Sequence, residues 1–155
     1  STTVKPDKYD STVLYGLEAG KYRLALKTPK DQIINVEYTR DKSKKKAAYK
    51  KSKAINLKSD IDSIYTSTEK AARWYKVSVS STKKRKAVTL SKDSVGGGFK
   101  FRVYQKGKRL KTVKVTKNDK VKTVKLPKKK GAYYVKVTKL TSKTTGAYYL
   151  GTYTY

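Results

Sequence analysis

GAYYVKVTKLTSKTTGAYYLGTYTY (residues 131–155) writes one phrase twice: Gly, Ala, two tyrosines, then alternating apolar and polar residues. In an extended chain, side chains at even spacing share a face. Tyr133, Val135 and Val137 therefore lie on one side, with Tyr134 and Lys136 on the other. In the second copy Tyr148 and Leu150 lie together, with Tyr149, Tyr153 and Tyr155 opposite. The side that keeps the aliphatics reads as buried, so the stretch is two half-buried strands, a closing hairpin. GKYRLAL, from Gly20, is a third copy and places Tyr22 and Leu24 with the core residues.

Outward from this stretch the same period recurs. KYRLALK (21–27) and IINVEYT (33–39) alternate in the same way and read as an antiparallel pair turned at LKTPKDQ (26–32). RDKSKKKAAYKKSKA (40–54) has no alternation and reads as an exposed connector or a short, weak helix. INLKSDIDSIYTSTEKAARWYKVSVSS (55–81) holds a weak strand around Ile61 and Ile64. It then holds a clear one, in which Tyr75, Val77 and Val79 oppose Trp74, Lys76 and Ser78.

KAVTLSK (86–92) sets Val88 and Leu90 on one face. GGGFKFRVYQKGKRLKTVKV (96–115) reads as a hairpin turned at QKGK (105–108), with Phe99, Phe101 and Val103 inward. Its GGG (96–98) opens a strand rather than a helix and lacks the Gly-Lys-Ser/Thr ending of a phosphate loop, so it reads as a flexible turn. Six or seven short strands with turn residues between them specify an all-β antiparallel sandwich. Residues 12–39 parallel 123–152 in apolar lead-in, Gly-x-Tyr strand and return strand. This divides the chain into 1–50, a strand segment like the end of a preceding repeat packed on the main sandwich, and 51–155, the sandwich itself.

Composition excludes much chemistry. The 155 residues include no cysteine and no histidine, which removes disulfides, thiolate sites, thiol nucleophiles and the commonest general base and metal ligand. Lys and Ser are so abundant that their adjacency points to no nucleophile, and no carboxylate pair stands out. No catalytic residue, metal or cofactor is expected. No stretch approaches the ~20 apolar residues of a bilayer span, so no membrane insertion is expected. A chain starting at Ser1 reads as a mature or excised form, and the lack of cysteine fits a secreted protein of a Gram-positive bacterium.

Forty basic residues against eleven acidic ones give a net charge of +29, a field that steers the chain toward polyanions. Thirty-four of the forty are Lys and six are Arg. Lys is a hydrated point charge suited to diffuse attraction, whereas base readout leans on the fork of Arg. The runs KSKKKAAYKKSK (42–53), KKRK (83–86) and PKKK (127–130) read either as a polyanion-binding rim or as solvated surface.

ARWYKVSV, FRVYQKGKRL and VKLPKKKGAYYVKVTKLTSKTTGAYYLGTY together resemble the bacterial pre-peptidase C-terminal domain, over about residues 55–155. The resemblance implies a jelly-roll-like β-sandwich appended to secreted or cell-surface proteins and not itself catalytic. Its relatives include the collagen-binding domains of clostridial collagenases, some of which bind a matrix ligand through exposed tyrosines and take up calcium. The acids nearest the corresponding place, Asp60, Asp62 and Glu69, stand amid lysines and make a poor calcium site.

The outward residues of the closing stretch, Tyr134, Lys136, Tyr149, Tyr153 and Tyr155, form a tyrosine row edged with cations, and Trp74 is a further candidate. Such a row can stack on sugar rings, prolines or bases while Lys engages anions. The commoner meaning of such rings is cross-strand pairs that stabilise an exposed sheet face, or rings covered by the N-terminal segment. The expected partner is an anionic cell-wall or matrix polymer: teichoic acid, a glycan or a matrix protein. The alternative is a nucleic-acid-binding basic β protein, engaging its partner through charge.

Overall fold

The computed structural model describes residues 16, 17, 20–23, 25, 47–58, 60–66 and 68–155. Among these residues one 3₁₀ turn at Lys51–Lys53 is followed by nine strands: β1 Ile55–Asn56, β2 Ile61–Tyr65, β3 Arg73–Val79, β4 Lys86–Gly96, β5 Phe99–Gln105, β6 Lys108–Val115, β7 Val121–Lys125, β8 Gly131–Lys139 and β9 Thr145–Thr154. They form a five-stranded sheet, β1-β3-β8-β5-β6, facing a four-stranded sheet, β2-β9-β4-β7. Every pairing is antiparallel except the short β1 beside β3.

The pairs β2·β9, β3·β8, β4·β7 and β5·β6 are nested about the β5–β6 turn, as if one long hairpin had been rolled into two layers. This is the wiring of an eight-stranded jelly roll, with β1 added at an edge. The roll's apex is a two-residue turn in which Lys106 and Gly107 both have positive φ, 47° and 80°. That geometry matches the twist of the strands it joins.

The core follows the period-2 pattern. Tyr75, Val77 and Val79, Phe99, Phe101 and Val103, and Tyr133, Val135 and Val137 come from one sheet. They meet Ile61, Tyr65, Val88, Leu90, Tyr148 and Leu150 from the other. Phe99 and Tyr148 pack across the layers with ring centroids 5.0 Å apart. Each buried phenol finds a partner, as a buried hydroxyl must. Tyr65 donates to the Ala71 carbonyl at 2.7 Å, Tyr133 donates to the Lys129 carbonyl at 3.0 Å, and the Tyr75 and Tyr148 hydroxyls bond each other.

Two expectations need correction. First, β8 and β9 are not a hairpin. β8 is hydrogen-bonded to β3 and β5 on its two sides, so the chain crosses between sheets at 140–144 and β9 pairs with β2 and β4. Second, Tyr22 is exposed, and residues 21–23 are not in a strand. The strand expected around Ile61 and Ile64 is β2, with Ile61, Ser63 and Tyr65 buried. GGG carries the chain from β4 into β5. A Cβ on Gly97 (φ 77°) would strike Thr144 and one on Gly98 would strike the Val115 carbonyl. Thr144 is wholly buried, and its hydroxyl accepts the Gly98 N–H at 3.3 Å. The expected strand over 33–39 and the turn over 26–32 lie outside the described residues, as does Leu24. Of the early chain, Gly16 touches the sandwich: the Thr145 hydroxyl donates to its carbonyl at 2.7 Å.

Candidate functional site

Because β8 and β9 belong to different layers, the tyrosine row is divided between opposite faces of the sandwich. Tyr134, Lys136 and Trp74 lie on the outer face of the five-stranded sheet. Tyr149, Tyr153 and Tyr155 lie on the outer face of the four-stranded sheet.

On the five-stranded sheet the residues come in cross-strand rows. One row runs Trp74, Lys136, Arg102, Thr112 and the next Lys76, Tyr134, Tyr104, Arg109, with Thr138, Lys100 and Lys114 beyond. The first two rows combine aromatic rings with cations, and no row contains an acid. The Trp74 and Tyr104 rings pack 5.7 Å apart. The Lys136 ammonium stands 5.3 Å from the Trp74 ring centroid and the Lys51 ammonium 4.7 Å from that of Tyr134, both within cation–π range. Lys136 is directly opposite Arg102, and Lys100 opposite Lys114. Like charges at cross-strand positions destabilise a sheet.

One end of the sandwich gathers the basic runs that the sequence keeps far apart. Val79 pairs with Gly131 and Gln105 with Tyr133, which brings the connections 80–85, 106–107 and 126–130 to the same end. Gln105 Nε2 donates to the Lys130 carbonyl at 3.4 Å, and Arg85 exchanges backbone hydrogen bonds with Tyr155. Lys83, Lys84, Arg85, Lys106, Lys128, Lys129 and Lys130 therefore converge there.

Two acids sit in connections at the opposite end. Glu69 is paired with Arg73 at 2.7 Å, both side chains nearly buried, and the Arg73 guanidinium lies over the Tyr65 ring at 4.3 Å. Burial is the largest single influence and opposes the charge on Arg73, but the Glu69 hydrogen bond together with the fields of Tyr148, Glu69 and Tyr75 outweighs it and holds the guanidinium above its ordinary range. Asp119 lies 2.7 Å from Lys122 and accepts from the Thr116 N–H and hydroxyl, which hold its carboxyl well below the usual carboxylate range. Among the described residues no group of three potential metal ligands forms.

On the four-stranded sheet Tyr153 and Tyr155 stack at 5.7 Å, and the Lys125 ammonium stands 5.3 Å from the Tyr155 ring. Tyr149 donates to Asp60 Oδ2 at 2.8 Å. Sequence reasoning missed Arg102, Tyr104 and Arg109. Parity opposite Phe101 and Val103 marked Arg102 and Tyr104 as outward, but only the β5·β8 register places them beside Lys136 and Tyr134, and the β5·β6 register sets Arg109 beside Tyr104.

No protein-family model matches the chain, and no curated protein matches it. Among solved structures the chain is similar to the pre-peptidase C-terminal domain of a collagenase from Bacillus anthracis. The identity is 18% and the TM-score 0.47, over 64% of this chain and 92% of that one. That is a domain of the kind residues 55–155 resemble.

Proposed function

We propose that the chain is a non-catalytic extracellular or cell-surface module that engages an anionic cell-wall or matrix polymer. It does so through the outer face of the five-stranded sheet and the lysine-rich connections at its end. The observation that supports this is the pair of like-charge contacts, Lys136 opposite Arg102 and Lys100 opposite Lys114, on a face with no acid in its rows. Solvated lysines on a protein surface are ordinary, but cations set side by side cost stability until counter-charge arrives. A linear polyanion laid along the face supplies that charge, and Trp74, Tyr104 and Tyr134 offer rings for its backbone to rest on.

The test is binding of lipoteichoic acid and heparin across a salt series. The expected log Kd rises linearly with log salt, and Lys136→Glu with Arg102→Glu reduces both affinity and slope. Undetectable binding at low salt, where attraction is greatest, overturns the reading. DNA or RNA that outcompetes both polymers would move the function to the nucleic-acid alternative.

A further inference from the structure

On the opposite face of the sandwich, β9 presents Tyr149, Gly151 and Tyr153 at alternate positions. Tyr149 is 41% exposed and Tyr153 47%, while Gly151 between them is buried. The missing side chain leaves a slot between two rings. Any Cβ on Gly151 would strike the Asp60 carboxylate, so the glycine forms the floor that lets Asp60 close over it. The cross-strand neighbours continue the floor: Gly151 pairs with Thr89 and Thr89 with Thr123, whose hydroxyls bond at 2.9 Å. The groove is an open depression of about 390 Å³, near the lower end of small-molecule sites in volume.

Its lining contains no Lys or Arg, in a chain with forty of them. Asp60 is in neither of the ion pairs formed among the described residues; its Oδ2 accepts from the Tyr149 phenol at 2.8 Å. These facts select a ligand by charge. The Asp60 carboxylate and the absence of a lining cation disfavour an anion, and the +29 field of the whole molecule disfavours a cation. A neutral ligand with hydroxyl donors for Asp60, C–H faces for two tyrosines and acceptors for threonine hydroxyls satisfies the remaining chemistry. We infer that this groove binds the neutral pyranose unit of a glycan, independently of the cationic face behind it.

The experiment follows the amide shifts of Tyr149, Gly151 and Tyr153 by NMR during titration with cellohexaose, maltohexaose and chitohexaose. At least one sugar is expected to saturate these shifts with an affinity that stays the same between about 50 mM and about 500 mM salt, because no charge is screened. Tyr153→Ala and Asp60→Ala, both at exposed side chains, are expected to weaken it at least ~10-fold, since each removes one aromatic or hydrogen-bonding partner. Lys136→Glu leaves it unchanged, which separates this site from the polyanion face. Shifts that move with none of the three sugars overturn the inference. So do binding that disappears with salt and binding that survives both groove substitutions in variants that keep the wild-type thermal transition.

Discussion

At the scale of single residues, the tyrosines divide by the parity of their position. Tyr65, Tyr75, Tyr133 and Tyr148 supply core volume and carry hydroxyls that must be partnered inside it. Burial first, and the Glu69 carboxylate second, push the Tyr65 phenol up; burial and the neighbouring Tyr75 do the same to Tyr148. An unfolded tyrosine ionises near pH 10. Above that pH the folded chain holds protons that the unfolded chain has lost, so stability is full below about pH 10 and falls as pH rises beyond it. Each of the two groups contributes a slope of about 1.4 kcal/mol per pH unit in that window. In urea denaturation at pH 8 through 11, the stability difference between the wild type and Tyr148→Phe should stay constant to about pH 9.5 and then shift in favour of the variant, because the lysines that lose their charge in the same range are common to both.

At the scale of elements, the corners matter as much as the strands. The β5–β6 turn needs Gly107 for its φ of 80°, yet nothing lies within 4 Å of the position where its Cβ would be. The β4–β5 corner needs Gly98 because the Val115 carbonyl fills that position. The two glycines therefore predict different costs. Gly107→Ala should lose about 1 kcal/mol, the conformational penalty alone. Gly98→Ala should lose at least ~2 kcal/mol, because backbone must move in a packed core. Paired denaturation curves decide this, and equal losses would contradict it.

At the scale of the whole molecule, forty basic residues stand against eleven acidic ones. The cationic rows and the convergent basic connections repel themselves, and the net charge of +29 adds to that. Screening should therefore stabilise the fold. Raising NaCl from about 20 mM to about 300 mM shortens the Debye length to well under 10 Å, and the thermal midpoint should rise. A falling midpoint would mean that the pairs Arg73–Glu69 and Lys122–Asp119 outweigh the repulsion.

The alternation of Tyr133, Val135, Val137, Tyr148 and Leu150 determined by itself that the closing stretches are half-buried strands and which side of each is wet. Parity is a property of one strand and needs no partner. The QKGK turn was legible too, because Gly107 supplies local turn chemistry. Tyr22 shares the motif but not the burial: a motif states which face could be buried, and only a second layer buries it. Which sheet each strand joins was decided by tertiary structure alone. A hairpin and a sheet-crossing connection both join two half-buried strands through a few polar residues, so 140–144 carries no mark that distinguishes them. β8 lies between β3 and β5, which occupy both its hydrogen-bonding edges and leave β9 to pair with β2 and β4 in the other layer. That choice parted Tyr134 from Tyr149, and with it one tyrosine row became a cationic face and a separate groove lined without a cation.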